Sequence, residues 1–278
     1  MAAIAIAFTA LWLTAPEPKE PMFEGKPLSY YLDKQTYGEL RTERDARESI
    51  RDFGTNAVPS LIEILSARES RFRAKVRAFV QNQPLIRFRS VPLVVRQRQA
   101  ALACAELGPM AAPAIPSLVH FVDNPDVAPA AIAALAMIGP ATFPILTNAL
   151  LSGIPAARIE AAGDLRYMLP REQAVPPLLC ALRDPLPGVR ANAAGSLGFL
   201  GAKPDAVVPA LMVCLADTDL AVRTSAVEAL GWFRQSATRA VPNLVELQRN
   251  ETGTVLGQKI AEALKAIDAA AGESAGVR

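Results

Sequence analysis

The sequence predicts an all-α fold, a solenoid of about six helix pairs followed by a final helix. Three observations predict it. A proline-centred phrase recurs along the chain, its prolines settle to a spacing of 32 to 33 residues, and an Ala-rich amphipathic stretch precedes most of them. A repeat of that length accommodates two helices and a turn.

The phrase has a fixed grammar of small residue, β-branched residue, Pro and Leu. It reads Ala57-Val58-Pro59-Ser60-Leu61, Ala114-Ile115-Pro116-Ser117-Leu118, Ala174-Val175-Pro176-Pro177-Leu178, Val207-Val208-Pro209-Ala210-Leu211 and Ala240-Val241-Pro242-Asn243-Leu244, with a degenerate copy at Thr142-Phe143-Pro144-Ile145-Leu146. Proline suits the first turn of a helix, where its missing N–H has no partner to lose and its fixed φ is already helical. Each proline is therefore expected to begin the second helix of a pair, B.

The first helix, A, lies upstream. Two copies match closely: Val189-Arg190-Ala191-Asn192-Ala193-Ala194-Gly195-Ser196-Leu197-Gly198 and Val222-Arg223-Thr224-Ser225-Ala226-Val227-Glu228-Ala229-Leu230-Gly231. Val, Ala and Leu at these intervals form one apolar stripe. A third copy, Arg158 to Leu165, keeps Ala161-Ala162-Gly163 with a register shift of one. Others end at Leu107-Gly108 and Ile138-Gly139, where glycine can close a helix with a positive φ. Asp123, Asp184, Asp217 and Asp219 occupy the turns between repeats, where a carboxylate can cap the next A helix or meet Arg190 and Arg223 in a ladder.

From Arg41 to about Ala271 this grammar resembles the HEAT family, and more loosely its PBS-lyase-type branch. The specific part is Asp-Pro-x-x-x-Val-Arg-x-x-Ala-Ala-x-x-Leu-Gly, nearly whole at Asp184 to Gly198. The resemblance implies a right-handed α-α superhelix of antiparallel helix pairs, of the HEAT and armadillo kind, with the B helices lining the concave side.

Composition agrees with close-packed helices: 51% hydrophobic but only 6% aromatic residues leave Ala, Leu, Val and Ile to build the core. Cys104, Cys180 and Cys214 show no C-x-x-C spacing and are expected to be buried small hydrophobes. The single histidine, His120, gives a metal centre little to work with. No cofactor and no metal are expected.

The domain reading is four-part: an apolar segment at 1–15, a Pro-rich linker with a short leading helix at 16–38, a solenoid at 39–272 containing a basic insertion at 68–98, and a tail at 273–278. Met1 to Ala15 is too short to span a bilayer comfortably and suits the hydrophobic part of an export signal, with Ala10 or Ala15 at the cleavage site. No Lys or Arg precedes it, so a short anchor, a mis-assigned start and a soluble amphipathic helix stay open. Export, to a periplasmic or membrane-associated location, is the expectation, with the cytoplasm as the alternative.

The insertion lengthens the first proline interval to 57 residues and carries nine basic residues against one acid. Net charge is +2 overall, so the remainder is near −6. Two readings stand. Arg71, Arg73, Lys75, Arg77, Arg87, Arg89, Arg96 and Arg98, with Phe72, Phe79 and Phe88 between them, could bind an anionic surface or nucleic acid. Alternatively Val76, Phe79 and Val80 pack an extra helix whose arginines are merely solvated. With Gly25-Lys26-Pro27-Leu28-Ser29-Tyr30-Tyr31-Leu32 and Gln81-Asn82-Gln83-Pro84-Leu85-Ile86, the region also resembles a subgroup of exported bacterial HEAT-repeat proteins.

The sequence has no phosphate-binding loop, nucleophile elbow or H-E-x-x-H. Deoxyhypusine hydroxylases resemble this fold but use His-Glu motifs for iron, and the chain contains no His-Glu pair. HEAT-like DNA glycosylases use aromatic, acidic and arginine side chains on a concave face. Trp232 is the large aromatic that could serve so, yet it matches Phe199 one period earlier and is expected in the core. For bilin lyases nothing beyond the generic repeat speaks. The expectation is therefore a monomeric, non-enzymatic scaffold that binds another protein, with anion binding through the insertion as the alternative.

Overall fold

A computed structural model of the chain describes residues 20–37, 40–68 and 91–275, with side-chain surroundings described outside 35–45 and 269–275. The chain opens with a two-stranded antiparallel ribbon, β1 (Met22–Phe23) and β2 (Lys26–Pro27), leading into helix α1 (Leu28–Tyr37). Glu20 accepts the Ser29 amide at 2.9 Å, satisfying a free N–H of the first turn. Leu28, Tyr31 and Leu32 are buried, and the Tyr31 ring packs edge-on against Phe23 and Phe53. The leading segment thus caps the hydrophobic end of the stack.

Among the described residues six helix pairs and a final helix follow. The A helices are α2 (Leu40–Phe53), α4 (Leu93–Leu107), α6 (Ala128–Ile138), α8 (Pro155–Asp164), α10 (Pro187–Leu200) and α12 (Leu220–Phe233), and the last helix, α14 (Val255–Ala275), continues their row. The B helices are α3 (Val58–Ser66), α5 (Ile115–Val119), α7 (Phe143–Ser152), α9 (Arg171–Ala181), α11 (Pro204–Cys214) and α13 (Val241–Asn250). The fold is the expected all-α right-handed superhelix.

Four B helices start at the recurring proline, each after a 3-10 turn. The other two do not. Helix α9 begins at Arg171 and α11 at Pro204, each five residues before Pro176 and Pro209. An earlier proline takes the starting role there: Pro170 lies just before α9, and Pro204 is the first residue of α11.

The core is continuous through the stack and rich in alanine, so A helices can approach closely. Gly198 shows how closely: a Cβ built on it would lie 2.6 Å from the Ala229 Cα on α12. At Gly231 the corresponding distance, to Ala263 of α14, is 3.2 Å. The A helices pack against each other far more extensively than the B helices do.

Turn carboxylates clip successive repeats together. Arg190 donates from Nε and Nη2 to the two carboxylate oxygens of Asp217, each at 2.8 Å, and Arg158 does the same to Asp184 at 2.9 and 3.4 Å. Asp219 caps α12 by accepting the Ala221 and Val222 amides. The register shift in the third copy therefore leaves its arginine in place, because the missing residue falls after Leu165, in the turn leading to α9. Gly108 and Gly139 close α4 and α6 with φ of +57° and +125°, as their positions suggested. Cys104 and Cys214 are buried, and burial pushes the Cys104 thiol up to about 12. Cys180 departs from expectation: it is exposed, on α9.

Candidate binding face on the A-helix row

Of the basic residues singled out in the sequence, Arg71, Arg73, Lys75, Arg77, Arg87 and Arg89 lie outside the described residues. Arg96 and Arg98 are both exposed on α4. Two residues apart on a helix means about 200° of rotation, so they do not share a face. Arg96 looks into a cleft of about 180 Å³ beside α1 and α3, where Glu20, Asp33 and Glu63 also contribute to the wall.

The A row presents a different feature. Tyr167, Phe199 and Trp232 are 46%, 48% and 53% exposed, and Met137, one repeat earlier, is 38% exposed. They sit at the C-terminal ends of consecutive A helices, 30, 32 and 33 residues apart, one per repeat. Trp232 does match Phe199, but both face solvent, so the core assignment of Trp232 is wrong. The physical reason lies in the helical phase. Leu197 and Leu200 on one side, and Leu230 and Phe233 on the other, already fill the buried stripe, and the residue between them rotates outward.

Two successive members of this rail touch. The Tyr167 and Phe199 rings meet edge to face with centroids 6.0 Å apart. The Arg166 guanidinium lies over both, 4.9 Å from the Tyr167 centroid and 5.9 Å from that of Phe199. One turn back from the rail the floor is small, with Ala133, Gly163 and Gly195, and a Cβ added at Gly195 would meet nothing within 4 Å. The surface is thus a shallow trough with an aromatic edge.

Acidic groups flank the trough on α8. Asp164 is held up to about 7, first by burial and then by the nearby charge of Glu160, against a lowering by Arg166. Burial also raises Glu160. Among the described residues, Asp164 Oδ2 and Arg166 Nε are both buried with no hydrogen-bond partner. One unfilled acceptor and one unfilled donor therefore stand next to exposed rings. Ser196, at the Asp164 position one repeat later, instead donates to the Ala162 carbonyl at 2.7 Å. Among the described residues no group of three or more His, Cys, Asp or Glu gathers to hold a metal. The arrangement suits recognition by stacking, apolar contact and charge.

Sequence reasoning missed this site, although a signal was present. Glu160 and Gly163 precede Tyr167 by seven and four residues, Asn192 and Gly195 precede Phe199 likewise, and Glu228 precedes Trp232 by four. Polar or side-chain-free positions at that spacing mark the solvent face of a helix.

Comparisons with known proteins agree with the architecture. Residues 175–265 match the family model for HEAT repeats. No curated protein matches the chain by sequence. Among solved structures, it is similar to Kap121p in its complex with Nup53p, with a TM-score of 0.55 and 15% identity over 86% of this chain and 29% of that one. It is similar to the Kap95:Nup1 complex, with a TM-score of 0.52 and 13% identity over 89% of this chain and 38% of that one. The chain thus spans about a third of either solenoid. A looser likeness, at a TM-score of 0.42 and 21% identity over 91% and 98% of the two chains, is to the CpcE and CpcF complex of phycocyanin lyase from Nostoc sp. PCC7120. The fold is a HEAT/armadillo-like solenoid, and within it residues 175–265 match the HEAT-repeat family.

Proposed function

We propose that this protein is a non-enzymatic scaffold that binds another protein through the A-helix row. The observation that carries the reading is the exposed rail of Tyr167, Phe199 and Trp232, one aromatic per repeat. Leaving three large rings half in water forgoes the stabilisation their burial would bring, and large aromatics with arginine are the side chains most enriched at the centres of protein interfaces. A solenoid leaves such a row open because each repeat contacts only its neighbours. Kap121p and Kap95 are bound to other proteins in their structures. What this chain shares with them is the fold, and the reading rests on the rail.

The test is site-specific photo-cross-linking in the native host, with a benzophenone amino acid at position 199 or 232 and a control at Val213, which is exposed on the B row. Cross-links to a partner protein from 199 and 232 but not from 213 support the reading. Equal yields from all three positions, or a catalytic turnover of the purified chain abolished by one point substitution, would overturn it.

A further inference from the structure

We infer that the cleft between α1, α3 and α4 is a binding site for a free basic amino acid, lysine or arginine. It shares no residue with the aromatic rail, so the site is additional to the scaffold reading. The cleft holds about 180 Å³, less than the roughly 300–1,000 Å³ of sites that take drug-sized molecules. That volume suits one amino-acid-sized ligand.

Charge selects the occupant. Glu20, Asp33 and Glu63 bring three carboxylates to the wall and Arg96 brings one guanidinium, and among the described residues none of the four makes an ion pair. A free basic amino acid presents the converse, two positive groups and one carboxylate. Two of the acids are oriented by the fold: Glu20 gives one oxygen to the Ser29 amide at 2.9 Å, and Asp33 gives one to Gln99 Nε2 at 3.3 Å. A second oxygen of each stays open. Gln99 reaches the cleft wall although it is only 1% exposed, and its Oε1 accepts no hydrogen bond among the described residues, which leaves an acceptor there for an ammonium group. Among the described residues no three acidic groups gather closely enough to hold a metal ion, so an organic cation is the fitting partner.

The carboxylate of the ligand has a place at the other end. Arg96 lies one turn into α4, whose first turn has no side-chain cap, and the Leu93 and Val94 amides meet no protein acceptor among the described residues. Guanidinium, open amides and the positive end of the helix all favour an anion there. Leu32, Ile64 and Leu93 supply apolar wall between the two ends. A lysine or arginine stem covers such surface while its charged head reaches the carboxylates. An acidic amino acid or a phosphate would meet three like charges, so charge opposes both.

The experiment is calorimetric titration of the full chain with L-lysine and L-arginine. Each comparator alters one feature: cadaverine lacks the α-carboxylate, norleucine lacks the side-chain charge, and Nα-acetyl-lysine lacks the α-ammonium. L-glutamate reverses the sign, and the peptide Gly-Ser-Gly-Lys carries its lysine at a chain end. Lysine or arginine should bind about tenfold or more tightly than every comparator. Glu63→Gln should weaken lysine about tenfold, and Arg96→Gln should leave lysine binding no tighter than cadaverine. Both side chains are exposed, so neither change threatens the fold, and Trp232→Ala should leave lysine affinity as it was.

No saturable binding of either basic amino acid, cadaverine or norleucine binding as tightly as lysine, wild-type affinity in Glu63→Gln, or tighter binding of the peptide would overturn the inference. The two readings fail separately. Loss of lysine binding leaves the cross-links from positions 199 and 232 to decide the scaffold, and absence of those cross-links leaves the cleft to the titration.

Discussion

Arg190 grips Asp217 across the boundary between two repeats, with two parallel N–H donors at 2.8 Å from the two carboxylate oxygens. The same guanidinium also donates to the Asp184 carbonyl at 2.9 Å, so one side chain ties three segments together. Both partners are largely covered, at 15% and 14% side-chain exposure, which limits screening by water and salt. Forked geometry of this kind is specific to arginine.

Arg190→Lys should therefore destabilise the solenoid by about 1–3 kcal/mol, more than a surface ion pair would. Arg239→Lys provides the contrast, since its partner Asp205 is almost fully exposed and the loss should be within about 0.5 kcal/mol. Urea denaturation of both variants checks this. The hydrogen bonds from Arg190 hold the Asp217 carboxyl below its usual range. Because that pKa is lowered on folding, the stabilisation is present above the ordinary carboxylate range and is lost as pH falls through the lowered value.

Two glycines on one helix should behave oppositely. Gly198→Ala drives a methyl group to 2.6 Å from the Ala229 backbone and should cost about 1–3 kcal/mol by forcing α10 and α12 apart. Gly195→Ala meets nothing within 4 Å and should stabilise α10 by about 0.5–1 kcal/mol through helix propensity. Melting temperatures of the two single variants moving in the same direction would contradict the close approach of the A helices.

Asp164 makes stability depend on pH near neutrality. Its carboxyl is held up to about 7 in the folded chain, against about 3.9 in an unfolded one. The folded state then binds the proton more tightly, so stability is greatest below about pH 4 as far as this group is concerned. It declines as pH rises to about 7, above which the charged form carries the full penalty. Asp164→Asn or Asp164→Ser should remove a cost of about 2–4 kcal/mol at pH about 8 and change little at pH about 4. Denaturation curves of variant and wild type that differ equally at both pH values would contradict this assignment.

The repeat was legible in the sequence because its grammar is local. Pro144 or Pro242 at the start of a B helix, Gly108 at the end of α4, and Asp219 ahead of α12 each act within one turn of backbone, and each sits where its chemistry placed it. The Arg190–Asp217 clip was also legible, since a fixed period puts like residues in register. The close approach of the A helices was not. It depends on how small Gly198 and Ala229 are when facing each other. The rail was missed for a related reason. Equivalence of Phe199 and Trp232 under the period says that their surroundings match, and the side-chain-free Gly195 and the polar Glu228 one turn earlier mark that shared face as the solvent face. Arg96 and Arg98 looked alike in a basic run, but helical geometry separates them.

The A row turns its aromatic side chains to solvent, and Trp232 reports on this directly. A Trp12→Phe substitution leaves Trp232 as the single tryptophan of the chain. In that variant the fluorescence should show the red-shifted emission of a hydrated indole and be quenched readily by acrylamide, and Trp232→Ala should cost no more than about 1–2 kcal/mol, the share of a half-covered ring. A blue-shifted, quench-resistant emission, together with a loss of about 3–5 kcal/mol on Trp232→Ala as expected for a buried indole, would contradict the account.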